Sequence, residues 1–215
     1  LHRNYHLKFS IAISSHINNT KQRGTVIGPL CGGIPVHFFI GGCENRMQKY
    51  ENDIVHHYCN HNSFDHTALI EILELNLYAD YWFVAHDTVT FGDKSIENIN
   101  NFGPGDHISF SKAGWWNMGL FSNDFIQRNK EYILSLKNCS KSQAILSEKF
   151  YKRLSHEDEF YCNENEILDL EYIDIYSEGY LRKPIYFKSL DITKYQKYHP
   201  ESSFLKDLIK TNKCI

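Results

Sequence analysis

Short apolar runs alternate with mixed segments along the first hundred residues. The runs are too short for helices and rich in β-branched and aromatic residues, so they predict buried strands at 7–13, 36–40, 54–58 and 81–85. Helices are predicted at 20–33, which ends at paired glycines, and at 67–75, whose apolar residues recur at helical spacing. This order of elements predicts an α/β fold with a mostly parallel sheet flanked by helices.

The second half of the chain has a different pattern, with loops between shorter apolar segments. It predicts strands at 107–110, 114–121 and 184–187, and helices at 123–137, at 142–154 and from about Ser202 onward. There is no internal repeat, linker or low-complexity tract. We therefore expect a single domain over 1–215.

The most apolar of the predicted strands runs from Tyr81 to Ala85, and His86 and Asp87 follow it directly. Open α/β sheets place ligand sites just beyond the carboxyl ends of their strands. A rigid strand would position this carboxylate while the following loop leaves it accessible. The competing interpretation is that Asp87 starts a turn that Thr88 closes.

Composition argues against one class of function. The chain has 42% hydrophobic and 23% charged residues, as in ordinary soluble domains, and a net charge of -3 with twelve histidines and no basic block. These values argue against a general nucleic-acid binder. Aromatic residues reach 14%, which suits core packing and also stacking on sugars or bases.

The six cysteines are scattered without a CxxC pair, which predicts free thiols in a reducing compartment such as the cytoplasm. The N-terminus shows no signal-peptide pattern, and no apolar run reaches the length of a transmembrane span.

Taken together, the order of elements, the strand ending at Asp87, Ser14 to His16 and Gly41-Gly42 resemble the GT-A fold of nucleotide-sugar glycosyltransferases. Around residues 79–92 the chain is similar to small glycosyltransferase domains of large DNA viruses of algae, which glycosylate capsid protein. The resemblance implies a nucleotide-sugar-binding half at 1–100 and an acceptor-binding half at 101–215. It also implies a location in the host cytoplasm.

The same resemblance implies the reaction and its partners. The chain is expected to move a sugar, with inversion, from a nucleoside-diphosphate sugar to a glycan or glycoprotein, with uridine as the expected base. The residues expected at the donor site are Ser14, Ser15, Gly41, Gly42, Asp65, His86, Trp116 and Lys197. Local pattern also places Asp65 as a cap of the helix at 67–75, and Trp116 could equally be a packing residue.

The family's acidic motif is usually Asp-x-Asp, whereas this chain has Ala85-His86-Asp87. If Asp87 matches the last acid, one metal-binding carboxylate is retained; if it matches the middle position, both are lost. We adopt the first alignment. It predicts Mn²⁺ or Mg²⁺ held by Asp87, with His199 as a metal ligand or phosphate donor.

Glycosyl transfer with inversion needs a base near the acceptor hydroxyl. In the resembling family this base is commonly an acid at the start of a helix in the C-terminal half. Glu157-Asp158 matches that pattern, with Asp158 preferred, Glu148 in reserve, and helix capping as the competing role for Asp158.

Two other classes of function use the same residues. A metal-dependent hydrolase could take its ligands from the set His56, His57, His61, Asp65, His66, His86 and Asp87. Against this, there is no HExxH motif, and neighbours on a strand such as His56 and His57 point to opposite faces. A non-catalytic carbohydrate- or nucleotide-binding module would keep the tryptophans and glycines and need no base.

Overall fold

The computed structural model describes residues 8–19, 33–51, 54–101, 107–111, 114–154, 165–167, 172–174, 180–182 and 185–194. At 107–111, 114–117, 148–154 and in the short strands between 165 and 185 the description is of the backbone.

The described residues form thirteen strands and five α-helices. The strands are β1 Phe9–His16, β2 Val36–Gly41, β3 Met47–Glu51, β4 Ile54–Tyr58, β5 Tyr81–His86, β6 Val89–Phe91, β7 His107–Ser111, β8 Gly114–Ser122, β9 Asn165–Ile167, β10 Tyr172–Asp174, β11 Tyr180–Arg182, β12 Ile185–Phe187 and β13 Ile192–Lys194. The helices are α1 Thr67–Glu74, α2 Ser95–Asn100, α3 Asn123–Arg128, α4 Lys130–Ser135 and α5 Lys141–Leu154.

Seven strands form the main sheet, in the order β3-β4-β2-β1-β5-β8-β7. The four central strands β4, β2, β1 and β5 run parallel, whereas β3 pairs antiparallel with β4 at one side and β8 antiparallel with β5 at the other. The predicted mixed α/β fold with a mostly parallel central sheet is therefore confirmed. β3 was not predicted, because all five of its residues are exposed and it carries no apolar alternation.

The main sheet has a hydrophobic core on each face. On one face Ala12, Phe39, Trp82 and Val84 pack with the buried residues of α1, α3 and α4. On the other face Ile11, Ile13, Phe38 and Phe83 pack with Ile99 of α2 and with β6, β12 and β13. Burial on both faces explains why these strands are nearly continuous apolar runs.

A smaller sheet lies beside the second core, in the order β6-β13-β12-β9. β6 follows Asp87 and Thr88 immediately and pairs antiparallel with β13. The chain thus leaves the main sheet at Asp87. A third sheet consists of β10 and β11.

Two boundaries differ from the sequence prediction. β1 extends to His16, so Ser14 and Ser15 lie inside the strand and not beyond it. The single helix predicted over 123–137 is two helices, with a break at Asn129. The Asn129 side chain donates to the carbonyl of Phe125 (2.9 Å), a local bond of the kind that competes with a regular helix. The helices predicted at 20–33 and from Ser202 lie outside the described residues.

Two histidines on neighbouring strands, the partly buried His37 and the buried His57, make the fold sensitive to acid. His37 Nδ1 lies 3.0 Å from His57 Nε2, and the two rings stack. The pKa of each is lowered from 6.5 to about 4, chiefly by burial, and for His37 the charge of His57 is part of the same lowering. The unfolded chain therefore binds protons near pH 6.5 that the folded chain does not accept until about pH 4.

We expect the free energy of unfolding to fall as the pH drops from about 6.5 towards 4. At about 1.4 kcal/mol per pKa unit, one such histidine contributes on the order of 3 kcal/mol of this loss. Urea unfolding at several pH values measures it. A His37→Phe variant keeps the stacked ring but not the titrating group, so its free energy of unfolding should fall less between pH 6.5 and 4 than that of the wild type. An equal fall in variant and wild type would contradict the assignment.

Candidate functional site

The strand order of the main sheet reverses direction at β1. From β1 the chain adds β2 and then β4 on one side, and β5 on the other. In open α/β sheets the crevice outside the carboxyl ends of the two strands at such a switch point is the usual ligand site. Here those ends are Ser14 to His16 of β1 and His86 of β5.

A cavity of about 290 Å³ opens at this switch point. Its described lining consists of Ser14, Ser15, His16, Asn62, Phe64, Asp65, His86 and Lys141. The volume is at the small end of the roughly 300–1,000 Å³ range of ligand sites. The structure thus brings together four residues predicted for the donor site, namely Ser14, Ser15, Asp65 and His86.

Asp65 is the charged centre of the cavity. Its carboxylate lies 3.5 Å from His86 Nε2 and 3.4 Å from Lys141 Nζ, and its side chain is 21% exposed. Burial alone would raise the pKa of Asp65, but the neighbouring His86 and Lys141 outweigh burial and hold the pKa below its usual range. Lys194 acts in the same direction from farther away. Asp65 is therefore ionised at neutral pH.

The predicted capping role of Asp65 is wrong. The start of α1 has no capping bond from the side chain of its N-cap residue, His66. Instead, Ser14 Oγ accepts a hydrogen bond from the backbone N–H of Ala68 (3.1 Å) and donates to the carbonyl of Asp65 (3.2 Å). Ser14 of β1 thus accepts a hydrogen bond from a backbone N–H in the first turn of the helix, and the Asp65 carboxylate is not needed for that role and faces the cavity.

Replacing Ser14 with alanine removes both bonds. We expect the free energy of unfolding to fall by about 1 kcal/mol, the usual cost of losing a helix cap. Urea unfolding measures it. Ser135→Ala is the matched control, because Ser135 is exposed and its hydroxyl donates only locally, to the carbonyl of Tyr132. Equal losses in the two variants would remove the capping role.

Asp87 lies directly behind the cavity wall. Its carboxylate accepts a hydrogen bond from the hydroxyl of Ser15 (2.8 Å), and its backbone N–H donates to the carbonyl of Ser14 (3.1 Å). The residue is only 2% exposed, so the expected accessible position is wrong: strand β6 follows at once and buries it. The carboxylate contacts Ser15, and Ser15 lines the cavity.

Gly41 and Gly42 end β2 beside the same edge, next to the cavity but not in its described lining. Gly42 has φ +80°, and a Cβ atom there would lie 2.5 Å from His16 Nε2. Its backbone N–H donates to the carbonyl of His61. A Gly42→Val substitution would therefore strain the backbone and displace the His16 ring.

A buried polar cluster lies behind the loop that carries Asp65. Cys59, His61 and Glu71 each offer one ligand atom, and these atoms lie within 4.8 Å of one another, so the cluster could hold a metal ion. His61 Nε2 is 2.8 Å from Glu71 Oε1, which also accepts from Arg46 Nη2 (2.8 Å). These bonds outweigh burial and lower the pKa of Glu71, whereas burial raises that of the Cys59 thiol.

The seven candidate ligands of a metal hydrolase do not converge on one point. His56 stacks on Phe38 and His57 on Phe39, whose side chains belong to opposite cores. His66 Nε2 instead lies 3.2 Å from the carbonyl of Ala144 and 2.9 Å from Ser147 Oγ on α5. Among the described residues, Cys59, His61 and Glu71 alone form a compact group of metal-ligand type.

Several predicted residues lie outside the described part of the chain. These are Glu157, Asp158, Lys197 and His199. For Trp116 in β8 and Glu148 in α5 only the backbone is described. Their predicted roles stay predictions.

Sequence reasoning missed four lining residues: His16, Asn62, Phe64 and Lys141. Lys141 begins a helix 76 positions after Asp65, and nothing in its local pattern distinguishes it from an ordinary exposed lysine. His16 could have been found, because it ends the strand that carries Ser14 and Ser15.

No protein-family model matches the chain, and neither a curated protein nor a solved structure matches it. None of the helices in the described ranges combines the length and apolar character needed to cross a membrane.

Proposed function

We propose that this chain is a glycosyltransferase of the GT-A type that binds a nucleoside-diphosphate sugar, with uridine as the base, in the cavity at the β1–β5 switch point. The nucleotide half is 1–100 and the acceptor half is 101–215. The sugar is transferred with inversion to a glycan or glycoprotein acceptor, as in the algal-virus glycosyltransferase domains that the sequence resembles.

One observation carries the proposal. The cavity at the switch point is formed by residues from the carboxyl ends of β1 and β5 and by the loop after β4, and it gathers Ser14, Ser15, Asp65 and His86. All four were expected at a donor site from the sequence. Open parallel sheets bind nucleotides at this place.

The charges around the cavity favour an anionic ligand. Lys141 lines it beside His86, which is charged only when protonated, and Lys194, which donates to the Thr88 hydroxyl behind it, contributes further positive charge. Since nucleoside-diphosphate leaving groups develop negative charge, cationic side chains fixed in a cleft stabilise the transition state. One carboxylate, that of Asp65, lies among these cations.

A hard divalent cation suits the available carboxylates. Asp65 offers from the cavity lining the oxygen ligands that Mg²⁺ and Mn²⁺ prefer, and Asp87, buried behind the wall and hydrogen-bonded to the Ser15 hydroxyl, is the proposed second carboxylate. When bound, such an ion offsets charge on the diphosphate. His199 stays a predicted further ligand.

The chain's own groups carry the remaining roles. The acceptor oxygen forms a bond to the anomeric carbon as the bond to the diphosphate oxygen breaks, and its proton passes to a carboxylate, for which Asp158 is predicted with Glu157 beside it. Lys141 and Lys197 hold phosphate, and Trp116 contacts the sugar or base.

A panel of nucleotide sugars tests the proposal. We expect release of nucleoside diphosphate from one donor, stimulated by Mn²⁺ or Mg²⁺ and by an acceptor glycan. Metal-dependent ester cleavage without sugar preference would favour a hydrolase instead. Binding without turnover of any donor would leave a carbohydrate- or nucleotide-binding module.

A further inference from the structure

The buried cluster Cys59, His61 and Glu71 has no part in the proposed transfer reaction, since none of the three lines the cavity. Cys59 and His61 follow β4 in the sequence, and Glu71 lies on the facing turn of α1. All three are buried, with residue exposures of 0%, 3% and 2%. Thiolate, imidazole and carboxylate together are ligands that zinc takes in proteins.

We propose that Cys59, His61 and Glu71 form a zinc site. It is distinct from the hard-cation site of the donor, because a thiolate and an imidazole favour Zn²⁺ over Mg²⁺. Cys59 ligates as the thiolate, and its proton leaves to solvent as the sulfur–zinc bond forms. Three protein ligands leave one position of a tetrahedral ion for water.

The surroundings supply the outer contacts that zinc ligands use. Ser63 Oγ lies 2.8 Å from His61 Nδ1, so Nδ1–H can donate to it and leave Nε2 for the metal. The same Ser63 oxygen accepts the backbone N–H of Asn138, which fixes its position. Arg46 donates to Glu71 Oε1, the same oxygen that His61 Nε2 contacts, and pairs also with Glu74, so the carboxylate is fixed in place.

The location of the cluster gives the ion a structural role. The backbone carbonyl of His61 accepts a hydrogen bond from the backbone N–H of Gly42, just after β2. The chain continues from His61 into Asn62, Phe64 and Asp65 of the cavity wall. A zinc ion would tie this loop to α1. Zinc binding therefore stabilises the wall that presents Asp65.

Metal content of the full chain tests the site. After dialysis against Zn²⁺ and then metal-free buffer, we expect about one zinc per chain, and Co²⁺ in its place should give a thiolate-to-cobalt charge-transfer band. Cys59→Ser should abolish the band, whereas Cys139→Ser, which removes a buried thiol outside the cluster, should retain it. Ser63→Ala should weaken zinc binding by about 10- to 100-fold.

A wild-type chain that retains no zinc and gives no cobalt band would contradict the proposed zinc site. Cys59, His61 and Glu71 would then be only a buried hydrogen-bonded cluster. A band that survives in Cys59→Ser would contradict the site as well. If Cys59→Ser does not fold, Glu71→Gln serves in its place, because glutamine can still accept the hydrogen bond from Arg46. We expect Glu71→Gln to bind zinc more weakly than the wild type does. A zinc affinity equal to that of the wild type would contradict the proposal. None of these measurements depends on transfer activity, so their failure is separate from that of the proposed function.

Discussion

An Asp87→Asn variant should lose about two orders of magnitude or more in turnover, the scale seen when a principal charge-stabilising group is removed. Asn keeps the size of the side chain and can still accept the hydrogen bond from Ser15, so the fold should survive. What disappears is the negative charge that we propose holds the divalent cation. Steady-state rates across a Mn²⁺ titration measure both effects.

Asp80→Asn is the matched control for this variant. Asp80 immediately precedes β5 and Asp87 immediately follows it, so the two carboxylates flank opposite ends of one strand. Asp80 accepts from the backbone N–H of Lys8 and from the Tyr78 hydroxyl, far from the cavity lining. Asp80→Asn should keep normal turnover. An Asp87→Asn enzyme with normal rate and unaltered metal dependence would leave Asp87 as a turn residue.

The central strands could be predicted because burial on both faces leaves a continuous apolar signal in the sequence. Trp82, Phe83 and Val84 pack alternately into the two cores. The alternation of strands and helices predicted a mostly parallel sheet, whereas the order of its strands, which defines the switch point, was not predicted. The mixed sheet is thus largely a consequence of local pattern.

The partners of Asp65 could not be predicted from local pattern. A carboxylate two residues before a helix matches a capping residue, yet Ser14, 54 positions away from Ala68, supplies the cap. That bond exists only because β1 lies beside the start of α1 in the fold. Asp65 is left to pair with His86 and Lys141, which lie 21 and 76 positions further along the sequence. Long-range pairing decides the chemistry of such a site, and periodicity carries no information about it.

The electrostatics of Asp65 make it the more discriminating test of the cavity. Because neighbouring cations hold its pKa below the usual range, the carboxylate stays ionised throughout the neutral and mildly acidic range. Loss of activity between pH 7 and 5 should therefore not reflect protonation of Asp65. Asp65→Asn removes the charge at every pH, and it also leaves Lys141 without its carboxylate partner.

We expect Asp65→Asn to lower turnover by about two orders of magnitude, because a fixed carboxylate among cations is the group best placed to hold a metal or orient the sugar. Lys141→Met breaks the same ion pair from the other side. If Lys141 contacts the diphosphate equally in ground and transition states, this variant should raise the donor KM and leave kcat nearly unchanged. The decisive result is that Asp65→Asn lowers kcat whereas Lys141→Met raises the donor KM. Values of kcat and KM for the two single variants and the double variant measure this difference. Identical effects in all three would mean that Asp65 and Lys141 serve only to hold α5 against the loop after β4, and the cavity would then contribute packing to this edge of the sheet without binding a donor.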